Sequence, residues 1–243
     1  MKLLDKISRR LSNYISCAWM PLKQGQGVVS FSFDDVPASA CTVGKALLEE
    51  FDARGSFYVC GGLTDGQEQG RTCHSVAELQ ALDADGHEIA CHTFSHTNCT
   101  LDGAAELNKD WEKNQDFFKE NDINNSGFAF PFGAYDLASK RLASRRFAYN
   151  RITGGGTQIG RADLAALRAQ ALYEQKTSLE LIKELIQQTA QHGGWLIFYS
   201  HEVDEEPGPW GTSPAQLRYA LTEATNAGCK ILPVRDAILF FQQ

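Results

Sequence analysis

The sequence predicts an α/β fold, a distorted (β/α) barrel of about seven parallel strands. Three observations carry that expectation. Short β-branched and aromatic runs alternate with longer segments of helical period along 243 residues. Strand–helix alternation favours parallel strands joined by helical crossovers. Carboxylates and imidazoles fall where the strand-like runs stop, and parallel strands present their chemistry at their carboxyl ends. An open doubly wound sheet would satisfy the same alternation. No repeat, low-complexity tract or linker interrupts the pattern, so one barrel domain is expected over 27–243, after an N-terminal segment at 1–26.

The elements follow in order. Residues 27–33 (GVVSFSF) read as a strand ending at Asp34 and Asp35, and 38–53 as a helix. Residues 56–60 (SFYVC) are a second strand. A helix over 75–85 is opened by the Ser75–Glu78 capping box and closed by Gly86. Residues 87–91 (HEIAC) form a third strand, and 103–121 a long polar helix. Residues 127–130 (GFAF) form a strand stopped by Pro131. A helix at 136–145 and a strand at 147–152 follow. Residues 161–174 combine good helix formers with an alternation that allows a strand near 167–173, and propensity does not decide between them. A helix at 178–191, a strand at 195–200 (WLIFYS), a helix at 213–227, a strand at 230–234 and a final helix complete the chain.

Composition bounds the function. Net charge is −7, which argues against a nucleic-acid partner held through phosphates. Seven cysteines with no CxxC pair point to a reducing, cytoplasmic setting. No run of apolar residues is long enough for a transmembrane helix, and the basic N-terminus lacks the apolar stretch of a signal peptide. Residues 1–26 carry Lys2, Lys6, Arg9, Arg10 and Lys23 against Asp5 alone. Leu4, Ile7, Leu11, Tyr14, Ile15 and Trp19 fall on one helical stripe. Such a helix either packs on the barrel or rests peripherally on an anionic membrane, at its inner face.

The chemistry gathers at the strand ends. His92 and His96 are four apart, so a helical turn after the strand would place both rings on one metal ion. A catalytic zinc takes about three protein ligands and keeps a position open for water, and a carboxylate from Asp34–Asp35 supplies the third. Adjacent residues at a strand end point to opposite sides, so the two aspartates should do different work. One holds metal while the other takes a proton from water.

SFSFDD, HTFSH, FAFPFGAYD and FYSHE, in this order, resemble the polysaccharide deacetylase family, the NodB-homology enzymes of carbohydrate esterase family four. The likeness runs roughly from Gly27 to Val234. It implies a distorted barrel of parallel strands that hydrolyses an N- or O-acetyl group on a glycan. By the same resemblance Asp34 is the catalytic base, and Asp35, His92 and His96 hold one divalent ion, Zn²⁺ first, with Co²⁺, Ni²⁺ or Fe²⁺ fitting the same ligands. His201 is the general acid, and the Phe132 N–H after Pro131 steadies the oxyanion.

This sequence departs from the family in four places. The arginine two residues before the motif-three proline, which orients the base, is Ala129 here. Arg151 near a strand end is the candidate replacement, against the alternative of a surface arginine. The usual tyrosine after that proline is Phe132. The aspartate–tryptophan motif that orients the acid is not visible near 147–156, and Tyr199 stands where a leucine usually does. Trp210, in a loop after His201, either stacks on a sugar or anchors its own loop.

The expectation is a sugar deacetylase acting on an acylated amino sugar in an oligosaccharide, lipid-linked or nucleotide-linked precursor. A formamide or small-molecule amide hydrolase and a catalytically idle glycan-binding relative are the alternatives.

Overall fold

The computed structural model describes residues 12, 14–22, 25–101 and 103–243. Leu4, Ile7 and Leu11, half of the amphipathic stripe expected at 1–26, lie outside the described residues. At its far end Trp19 stands in a short strand, Trp19–Pro21, and not in the expected helix, because that segment pairs with Arg161–Asp163.

Seven parallel strands close a barrel: β1 (Val28–Asp34), β2 (Ser56–Val59), β3 (Glu88–Cys91), β4 (Phe128–Ala129), β5 (Asn150–Thr153), β6 (Leu167–Ala171) and β7 (Trp195–Ser200). Closure comes from β7 pairing with β1 over six residues, Trp195 opposite Val28 through Ser200 opposite Phe33. The distortion lies on the other edge of β1. Its upper half pairs with β2 from Ser32 to Asp34, and its lower half pairs with a short strand β8 (Lys230–Ile231).

Alternation sorts the side chains. Val29, Phe31, Phe33, Phe57, Ile89, Phe128 and Phe198 face outward into the larger apolar cluster under the helices. Val28, Tyr58, Ala90, Ala129, Leu167, Ala169, Trp195, Ile197 and Tyr199 form the inner cluster. The helical layer is α1 (Lys45–Glu50), α2 (Val76–Ala84), α3 (Ala104–Glu120), α4 (Leu137–Arg146), α5 (Leu179–His192), α6 (Pro214–Asn226) and α7 (Val234–Gln242). Met20, Leu22, Val234, Ala237 and Phe241 join Trp195 and Val28 in the inner cluster and close its lower end.

The undecided segment 161–174 is strand, not helix: Leu167–Ala171 bridges β5 and β7, and the barrel could not close without it. Tertiary pairing overrides its helical propensity. The strand placed at 147–152 begins later, at Asn150. The strand placed at 230–234 stops at Ile231, because Pro233 opens α7. The Ser75–Glu78 capping box forms with both of its hydrogen bonds. No disulfide joins the cysteines, and six of the seven are buried. Among the described residues no helix is long and apolar enough to cross a membrane.

Inside the barrel a polar column runs beside the apolar inner cluster. Glu88 accepts hydrogen bonds from Ser56 Oγ (2.6 Å) and Tyr149 Oη (2.8 Å). The Tyr149 and Tyr58 hydroxyls meet at 3.1 Å. The Tyr58 ring in turn lies under the Arg151 guanidinium, 4.8 Å from centroid to Cζ. The column thus climbs from the amino ends of β2 and β3, where Ser56 and Glu88 stand, to the carboxyl ends of the strands.

Candidate active site

At those ends a cavity of about 360 Å³ is lined by Asp34, Asp35, His92, His96, Phe132, Tyr173, Tyr199, His201 and Trp210, among others. Five separate strands deliver these groups, β1, β3, β4, β6 and β7. The strand-end clusters singled out in the sequence therefore converge on one cavity of the size that small ligands occupy.

Asp34 is the last residue of β1 and is buried. Arg151 Nη2 donates to its Oδ1. Burial alone would push this carboxyl up. The guanidinium, with His92 and His201 nearby, outweighs burial and holds it below the ordinary carboxylate value. Arg151 is fully buried, which removes the surface-arginine alternative. The rings of Tyr58 and Tyr199 flank it at 4.8 and 5.1 Å.

Asp35 follows with φ of 58°, a left-handed backbone that swings its carboxylate into the same cavity instead of to the far face of the sheet. Val36 shares that conformation, at φ 53°. His74 braces the turn, its backbone N–H and its Nδ1 both reaching the Val36 carbonyl, at 3.1 and 3.0 Å. Asp35 Oδ1 lies 3.7 Å from His92 Nε2 and 3.3 Å from His96 Nε2. Burial, opposed by His201 and reinforced by Asp34, pushes the Asp35 carboxyl up to about 6.

The two imidazoles meet with ring centroids 5.2 Å apart, but not by a helical turn. Residues 92–98 are a tight loop with Thr93 at φ 66° and His96 at φ 51°. Asp110 from α3 accepts the Phe94 N–H at 2.6 Å, and Thr93 Oγ1 accepts the Thr97 N–H at 3.0 Å. His92 Nδ1 donates to the Ala129 carbonyl at 2.8 Å. That bond fixes the tautomer and leaves Nε2 bare toward Asp35. Burial, more than any neighbour, pushes the His92 ring down to about 3 and lowers His96 as well, so both are neutral ligating bases. The donor atoms of Asp35, His92 and His96 lie within 4.8 Å of one another. A carboxylate and two neutral imidazoles, one held by a backbone carbonyl behind it, fit a divalent transition metal.

His201, after β7, donates from Nδ1 to the Trp210 carbonyl at 3.1 Å and points Nε2 into the cavity, 3.6 Å from Asp35 Oδ2. A main-chain carbonyl thus orients this ring, for which the sequence had offered no partner. Trp210 serves its loop and the cavity together, since its backbone holds His201 while its ring lines the wall. Lys176 Nζ lies 3.8 Å from the Trp210 ring centroid and Tyr173 packs against its edge. Pro131 is buried and opens a 3₁₀ turn in which Phe132 adopts φ 59°. The Phe132 ring is exposed and lies 4.5 Å from that of His96.

Three wall residues escaped the sequence reading, the first of them Thr153 at the end of β5. Tyr173 lies in the segment whose structure was undecided. Gln69 sits at φ 50° in the tip of a hairpin, Gln67–Glu68 with Arg71–Thr72, whose strands are too short to show any period. Asp35, Val36, Gln69, Thr93, His96 and Phe132 all hold left-handed backbone without being glycine. Each costs about 1–3 kcal/mol, and such residues gather at functional sites.

Known proteins share this chain's family and fold. A sequence model described as polysaccharide deacetylase matches residues 22–150. A bifunctional xylanase/deacetylase from Pseudobutyrivibrio xylanivorans is 26% identical over 90 residues, 36% of this chain. The chain spans only 14% of that relative's length. The structure of the chitin deacetylase from the fungal pathogen Colletotrichum lindemuthianum superposes with a TM-score of 0.63 at 16% identity, covering 90% of this chain and 89% of that one. A pseudoenzyme of carbohydrate esterase family four from Bacillus anthracis superposes at 0.61 and 12% identity, over 93% of this chain and 70% of the other. At these identities the superpositions show the shared fold.

Proposed function

The chain belongs to the polysaccharide deacetylase family, and from that premise we propose that it is a metal-dependent hydrolase removing an acetyl or other small acyl group from an amino sugar. The substrate class we assign is an oligosaccharide, a lipid-linked sugar or a nucleotide-linked sugar. The observation that carries this reading is the convergence of three elements in one cavity: the Asp35–His92–His96 donor set, the Arg151-paired Asp34, and His201.

A divalent ion, zinc first among the candidates, would be held by Asp35, His92 and His96 and would supply water activation and Lewis-acid polarisation of the acyl oxygen. The chain's own residues do the rest. Arg151 occupies Oδ1 of Asp34 and keeps that carboxylate ionised, so Oδ2 is available to take a proton as water attacks the acyl carbon. The Phe132 N–H donates to the oxygen that becomes negative in the tetrahedral transition state. His201 Nε2, with Nδ1 tied to the Trp210 carbonyl, gives a proton to the departing nitrogen. An amine leaves poorly unless protonated, so this last step matters most for an N-acyl substrate. Trp210 and Tyr173 offer the aromatic wall on which a sugar face or an acyl methyl packs.

The idle-relative reading has one observation in its favour, since a pseudoenzyme shares the fold. Against it stands the pairing of Arg151 with Asp34, which replaces what Ala129 lacks. The discriminating assay follows acyl release from N-acetylated sugars and from non-sugar amides, with zinc and with chelator. Metal-dependent release from the sugars supports the proposal. Release only from the non-sugar amides, or none from any substrate, refutes it.

A further inference from the structure

Thr153 lines two cavities at once. One is the cavity holding Asp34 and His201; the other is a cleft of about 420 Å³ walled by Tyr14, Trp19, Tyr135, Arg161 and Arg168. The cleft owes its charge to a local pairing. Trp19–Pro21 runs antiparallel to Arg161–Asp163, with Pro21 opposite Arg161, which sets the Trp19 side chain beside that arginine. The Arg161 guanidinium lies over the Trp19 ring, 4.1 Å from its centroid. Stacking fixes the plane of the guanidinium and leaves its N–H edge open. Arg168 comes from β6, its aliphatic stem beside Gly154 at the cleft wall.

Both arginines are exposed, and among the described residues neither pairs with a carboxylate. The one carboxylate in the lining, Asp163, is already engaged. It takes the Lys140 ammonium at 2.8 Å and the N–H groups of Ala18 and Ala165 at 2.7 and 3.0 Å. A protein of net charge −7 thus keeps two guanidinium groups that no described carboxylate neutralises in one concave, aromatic-lined space next to the cavity of Asp34 and His201.

We propose that this cleft is a substrate subsite for an anionic group, a phosphate or a carboxylate, carried next to the acylated sugar. The inference rests on the hydrolase reading above and narrows its substrate to a charged glycan or glycan precursor. Two guanidinium forks match the oxygens of either anion. Tyr14 and Trp19 supply faces for the moiety that bears it. A phosphate would come from a sugar phosphate, and a carboxylate from a neighbouring uronic acid.

Calorimetric titration tests the subsite without relying on turnover. The probes are N-acetylglucosamine 1-phosphate, a disaccharide of N-acetylglucosamine with glucuronic acid, and uncharged N,N′-diacetylchitobiose. Each is added to the full chain and to Arg161→Gln/Arg168→Gln, whose substitutions are exposed and leave the fold intact. At least one anionic probe should bind about tenfold tighter than the neutral one, with the advantage shrinking as salt rises. The double variant should lose that advantage. Preference for the phosphate or for the uronate identifies the source. Equal or absent binding of both anionic probes, or an advantage that survives the double substitution, overturns the proposal. A chain that binds the anion but releases no acyl group would refute the hydrolase reading and leave the subsite standing.

Discussion

Arg151 lies directly across from Ala129 in the pairing of β4 with β5, and its buried guanidinium reaches Asp34 in the cavity wall. The family places an arginine at the position of Ala129. Here it is a guanidinium on the neighbouring strand that pairs with Asp34. The rings of Tyr58 and Tyr199 both pack against it. The tyrosine standing in place of the family's leucine is thus part of the same rearrangement.

Substituting Arg151→Ala should lower kcat strongly and move the acidic limb of the pH–rate profile upward. Asp34 would lose the group that keeps its carboxyl low. The buried carboxylate left unpaired should also cost stability, about 3–5 kcal/mol. Adding Ala129→Arg in the same chain should recover part of both. Measured kcat against pH, with urea unfolding, checks the pair. A double variant no better than Arg151→Ala alone would reject the relocation.

His201→Ala should depress turnover of an N-acetyl sugar far more than that of an O-acetyl ester, because an alkoxide leaves without a proton more readily than an amine. Parallel kcat/KM values for an amide and an ester of the same sugar provide the check. Equal losses would remove His201 from the role of proton donor.

Phe132→Ala keeps the backbone N–H and should lower turnover by less than about tenfold, where losing an oxyanion donor costs about 10²–10³. Phe132→Gly should behave similarly and relieve the left-handed strain at φ 59°. A loss from Phe132→Ala as large as a missing donor would give the ring itself, which touches His96, a direct part in the chemistry.

A stability prediction comes from His87, away from the cavity. Its Nδ1 accepts the Gly55 N–H at 3.1 Å, which requires the neutral ring. Burial pushes it down to about 4 despite Glu49, from an ordinary value of 6.5. The unfolded chain therefore takes up a proton before the folded one does. This contribution is intact above about 6.5 and is lost as pH falls toward about 4. Urea unfolding at pH 7.5 and 5 should show a larger drop for the wild type than for His87→Gln. An identical drop would place the pH dependence elsewhere.

Much of the site was legible because the strand ends carry it. Asp34, Asp35, His92, His96 and His201 each terminate or follow an apolar run, and strand polarity alone gathers such residues on one rim. What escaped the sequence depends on backbone and register. The approach of His92 to His96 rests on left-handed residues at Thr93 and His96, which a non-glycine sequence does not advertise. The two-fold use of Asp34 and Asp35 rests on φ 58° at Asp35. Leu167–Ala171 became a strand only because the barrel needed it, and Tyr173 was hidden with it. Arg151 was visible as a strand-end arginine, but only the register with Ala129 reveals that it faces inward.

The most direct test of the account is the metal content of the purified chain, by elemental analysis, for the wild type and for His92→Ala/His96→Ala. The account predicts about one zinc or similar ion per chain in the wild type, lost in the variant. A chain that carries no metal when purified without chelator, and takes none up on titration, would contradict it.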